Sequence, residues 1–179
     1  MRGAPHPYVP YLDPVLGVAW WTIGAAALDA GTGTVVLAAG LGVAGALVMA
    51  LRKRFGSGAP LPRGGRSRLF VLVGVTAALI AVAGTLLGYI GEGELAVPVA
   101  CALVGVAAVP LASHLDDRTF VALGGALMVL GAAGVLLALN SAGRLYPQGT
   151  VGLIAGALFW LAAAYRTGLL AEARDRTRQ

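Results

Sequence analysis

The chain has 179 residues, of which 58% are hydrophobic and 12% charged, and its mean hydropathy is +0.83. Soluble domains carry about 25% charged residues, so a water-soluble core is excluded, because a chain of this length could not hide so much apolar surface. A net charge of +5 and a pI near 10.0 bring nucleic acid to mind, but the basic residues flank apolar runs, so the acidic surface they meet is lipid and no nucleic-acid partner is expected.

A membrane helix needs about 20 apolar residues, and six stretches approach that length. The first covers residues 11–28, with Pro14 in its first turn, where a missing N–H costs nothing. It is not read as a cleavable signal, since only Arg2 precedes it and Ala27-Leu28-Asp29-Ala30 is a poor match to a small-residue exit site. The second covers 35–51 and the third 69–90. Between them, residues 52–68 hold Gly56, Gly58, Pro60, Pro62, Gly64 and Gly65. That composition resists regular structure and predicts a flexible basic loop. The fourth stretch, 95–112, contains Pro98 near its start and Pro110 near its end, where a lost backbone bond should kink or stop the helix. The fifth covers 119–139 and the sixth 150–170. Short links between them force antiparallel neighbours. The expected fold is all-α, a single polytopic transmembrane bundle.

Orientation follows the basic residues. With six spans, Arg144 alone among thirteen Lys and Arg falls on one side. Both termini are therefore expected in the cytoplasm. The lipid bilayer is the expected partner, with anionic headgroups at residues 52–68. Twelve Arg against one Lys suggest a GC-rich bacterial genome, and hence a multi-pass protein of the bacterial cell membrane. Gly84 and Gly88, like Gly152 and Gly156, have the spacing that lets helices approach closely. Packing within the chain is the first use of such faces and a homo-oligomer the second. Trp20 and Trp21 point different ways on one helix, so one is expected to meet lipid and the other the bundle.

The centres of the spans lack Asp, Glu, Lys, Arg and His, which disfavours proton relays and ion pumps. Thr22, Thr76 and Thr85 are expected to bond their own helix backbones, and Cys101, the one cysteine, to act as a small hydrophobe. The densest polar group is His114, Asp116 and Asp117, with Arg118 beside it. Adjacent carboxylates can hold Mg²⁺ and through it a diphosphate, with His114 as acid or base. The preferred reading of these residues is a solvated turn, with Asp116 or Asp117 capping the fifth span. At the other end Glu92 and Glu94 could form an acid/base pair, with Asp29 and Arg144 nearby, or simply a hydrophilic turn. No phosphate-loop, nucleophile-elbow, zinc-protease or calcium-loop pattern is present, and no cofactor is expected.

Arg68-Leu69-Phe70, Glu94-Leu95-Ala96-Val97-Pro98, Val104-Gly105, Val109-Pro110-Leu111-Ala112, Gly124-Gly125-Ala126 and Gly152 through Trp160 carry a resemblance. Over this part the chain resembles an uncharacterised group of small six-span bacterial integral membrane proteins. That group often places a His-aromatic pair where this chain has Ala107 and Ala108. The resemblance implies a fold and no activity. The expected role is structural or accessory, or the binding of an apolar small molecule. A membrane enzyme acting on an isoprenoid or lipid is the first alternative, and a small-solute transporter the second.

Overall fold

The computed structural model describes residues 11–56, 65–115, 117–141 and 146–169. The described residues form six α-helices and no strand: α1 (Leu12–Ala26), α2 (Ala30–Phe55), α3 (Gly65–Tyr89), α4 (Ala96–Leu115), α5 (Thr119–Ser141) and α6 (Tyr146–Arg166). A one-turn 3-10 helix, Gly93–Leu95, leads into α4. Five helices, α2 to α6, are long and apolar enough to cross a membrane. α1 has only 15 residues, about 22 Å at 1.5 Å per residue.

α1, α4, α5 and α6 make the centre. α4 packs most extensively on α5, and α1 on α6, while α2 leans on α1 and α3 on α4. The core gathers Trp20, Cys101, Phe120, Leu127, Val151 and Phe159 from the four central helices. Glycine sets how closely these helices meet. A Cβ on Gly17 would strike Trp160 and approach the Gly156 carbonyl, and one on Gly24 would lie 2.5 Å from the Leu153 nitrogen. As numbers rise along α1 they fall along α6, so the two are antiparallel. Gly105 meets Gly124 and Gly131 meets Pro98 in the same way across α4 and α5. Gly152 and Gly156 thus serve packing within the chain. Gly84 and Gly88 have open space where a Cβ would stand.

The outward faces are apolar. Among the described residues α3 contributes none to the buried core, and Val71, Val82 and Leu86 are each about 60% exposed. Val35 and Met49 of α2 are equally bare. A soluble monomer does not expose continuous patches of this kind; a helix bundle in lipid does.

The helices differ from the sequence expectation mainly at their ends. α2 starts five residues before position 35 and runs through Arg52, Lys53 and Arg54. These residues propagate a helix well, and cations favour its C-terminus. Gly56, at φ 57°, then ends α2 with its N–H on the Arg52 carbonyl. The expected loop 52–68 therefore shrinks from both sides, and its middle, 57–64, lies outside the described residues. α4 continues five residues beyond Pro110, so that proline does not end it. The tryptophans also depart from expectation. Trp20 is buried, and Trp21 donates from Nε1 to the Val36 carbonyl at 2.8 Å with its ring over Gly40. Both serve helix contacts. Thr22, Thr76 and Thr85 donate to the carbonyls four residues back.

The starts of α1, α3 and α5 share one end of the bundle with the ends of α2, α4 and α6. Tyr11 Oη donates to the Gly56 carbonyl there. Every described Lys or Arg stands at this end, from Arg52 to Arg166, whereas Asp29, Glu92 and Glu94 stand at the other.

Candidate functional site

At the basic end, three charged side chains meet. Asp13 lies in the first turn of α1 and Arg166 closes α6. Each suits its helix end, since an anion favours the N-terminus and a cation the C-terminus. Antiparallel packing of α1 on α6 brings the two together. Arg166 Nη1 donates to Asp13 Oδ2, and Arg166 Nε donates to Asp117 Oδ2 at 2.6 Å. The Arg166 guanidinium carbon sits 4.2 Å from the centre of the Phe120 ring, within cation–π range. The side chains of Asp13 and Arg166 are 1% and 5% exposed. Asp13 Oδ1 is buried with no hydrogen-bond partner among the described residues.

Asp117 is the corner of α4 and α5. Its Oδ1 accepts the Thr119 N–H at 3.0 Å, which caps the start of α5. Partial burial pushes the carboxyl up, but hydrogen bonds from Thr119 and Arg166, together with the guanidinium charge, outweigh it and hold the group below its ordinary range. Both oxygens are thus engaged, and a metal ion on Asp117 would have to displace Arg166. Asp116 and the His114 side chain lie outside the described residues. Among the described residues, no three of His, Cys, Asp and Glu gather as metal ligands would.

At the other end Glu92 is exposed before the one-turn helix and Glu94 lies within it. Gln148 Nε2 donates to the Gly93 carbonyl at 3.3 Å, which ties this turn to α6. Arg144 lies outside the described residues.

Phe120 leads from the ion cluster to a pocket of about 220 Å³. α1 supplies Leu12 and Leu16, and α6 supplies Phe159. Val104, Ala107, Ala108 and Leu111 come from α4, and Leu123 joins Phe120 from α5. α3 closes the side with Leu72, Val73, Thr76, Ala77 and Ile80. Thr76 brings the one hydroxyl, and it is spent on the Leu72 carbonyl at 2.8 Å. Such a wall offers contact to hydrocarbon and no hydrogen bond to a solute.

Sequence reasoning pointed to Asp117 and passed over Asp13, Arg166 and the pocket. The available signal was an acid at the start of one span and a base at the end of another on the same side. Compared with family models, with curated proteins and with solved structures, the chain matches none.

Proposed function

We propose that this chain is a six-span protein of the bacterial cell membrane, with both termini in the cytoplasm, that binds an apolar small molecule between α3 and the central helices. The pocket carries this reading: it is built from five helices, and among the described residues its one polar side chain is already satisfied. Among the described residues α3 touches only α4 and the one-turn helix, so widening the pocket on that side disturbs the fewest contacts. The short α1 crosses as part of the pair it forms with α6, and the basic end faces the cytoplasm by the charge rule. Binding is favoured over catalysis because the two described acids at this end of the pocket, Asp13 and Asp117, each give an oxygen to Arg166.

Ala77 of α3 and Ala107 of α4 both line the pocket. The Ala77→Phe/Ala107→Phe double variant, in nanodiscs of zwitterionic lipid, should bind a neutral pyrene probe about 10–200-fold more weakly than the wild type, the range given by a misfit of one methylene or more. Unchanged binding would refute the pocket as the site.

A further inference from the structure

The pocket occupies one half of the bundle's length. Leu72 follows Arg68 by four residues, about 6 Å along α3, and Ile80 follows it by twelve, about 18 Å. Half of a 30 Å hydrocarbon core is about 15 Å. The cavity therefore spans the leaflet at the basic end and stops near the midplane. Arg68, Leu72, Thr76 and Ile80 recur every four residues, so they form one row along α3. The arginine stands one turn above the pocket wall. Arg118 lies at the same end of the bundle, directly before α5 and two residues before the pocket-lining Phe120. Both arginines are exposed, and the ion pairs among the described residues involve neither.

We propose that the pocket takes the single hydrocarbon chain of a phosphate-headed amphiphile from this leaflet, with its headgroup on Arg68 and Arg118. The inference rests on the reading of the pocket as a hydrocarbon site and adds the ligand class. A space of about 220 Å³ is below the usual range for drug-sized ligands, about 300–1,000 Å³, so it takes one chain. Two guanidinium groups suit a phosphate monoester, because each can donate two parallel hydrogen bonds to its oxygens. The ion cluster does not compete for this headgroup. Arg166 is already bound to two carboxylates, so it is not free to hold the headgroup.

The test compares dodecyl phosphate with 1-dodecanol as competitors of the neutral pyrene probe, in zwitterionic nanodiscs at low salt. Wild type should prefer the phosphate by at least about tenfold, one order for about 1.4 kcal/mol. Arg68→Gln/Arg118→Gln should abolish the preference and leave dodecanol unchanged. Lys53→Gln should keep it, since Lys53 lies on α2, which among the described residues touches neither α3 nor α4. Ala77→Phe/Ala107→Phe should lose both ligands. Equal binding of the two by wild type, or a preference that survives in the double Gln variant, would overturn the headgroup assignment while the pocket stands. Phosphate binding that survives the two Phe substitutions would mean adsorption at the surface and would overturn the proposal. Failure of both ligands and the probe to bind wild type would overturn the pocket reading itself.

Discussion

Arg166→Met is expected to destabilise the bundle by about 3–5 kcal/mol, the usual cost of breaking a buried ion pair from one side. The variant leaves Asp13 almost wholly buried without its counter-charge, and Asp13 Oδ1 already lacks a hydrogen-bond partner among the described residues. It also removes the cation from the Phe120 ring. The loss comes from the stranded carboxylates more than from the missing attraction. Replacing all three charged groups together, Asp13→Asn/Asp117→Asn/Arg166→Met, should therefore recover most of it. Asp117→Asn alone should cost less, because its side chain is 26% exposed and water can solvate what remains. Thermal unfolding of the purified variants in one detergent measures all three. A triple variant no better than Arg166→Met would show that the pairing itself, and not the uncompensated charge, holds the cluster.

Gly152→Val should be the second damaging change. A Cβ there would stand 2.6 Å from the Gly24 nitrogen and 2.7 Å from its Cα. These are backbone atoms, so no rotamer change relieves the clash, and α1 must move off α6. Overpacking of this kind costs about 1–3 kcal/mol, occasionally more. Moving α1 also draws Asp13 away from Arg166, so the effects of Gly152→Val and Arg166→Met should fall short of their sum. Gly84→Ala makes the contrast. Nothing lies within 4 Å of its Cβ position, and alanine is better than glycine inside a helix by about 0.5–1 kcal/mol. That variant should melt at or above the wild-type temperature. Equal losses for Gly152→Val and Gly84→Ala would contradict the close α1–α6 contact.

The helices and the charge asymmetry were legible because each is written locally. A run of apolar residues marks a span wherever its neighbours lie, and a Lys or Arg at a span end needs no partner to mark a side. The inward bonds of Thr22, Thr76 and Thr85 were legible for the same reason, since the acceptor sits one turn back. Asp13 and Arg166 were not. They are 153 positions apart and meet only because α1 lies against α6, a neighbour relation that no local pattern states. The pocket was hidden differently. Ala107 lines a cavity and Ala102 packs against Gly131, yet both are alanines on one apolar helix. The two glycine pairs make the same point: their spacing is identical, and only Gly152 and Gly156 have a helix to meet. The basic triplet Arg52, Lys53 and Arg54 reads as loop beside the Gly- and Pro-rich stretch that follows it, but a helix longer than the hydrocarbon core can carry charge out into water.

The claim beneath all of this is that the basic end and the acidic end lie on opposite faces of a membrane, the basic one toward the cytoplasm. Single cysteines at Asp29, Glu92, Lys53 and Arg118, each in full-length Cys101→Ala protein, test it with a membrane-impermeant maleimide. All four positions are exposed. Cysteines at 29 and 92 should react in intact cells, and those at 53 and 118 only after the membrane is opened. Reaction of 53 and 118 in intact cells would contradict the account, as would two positions of one pair falling on different sides.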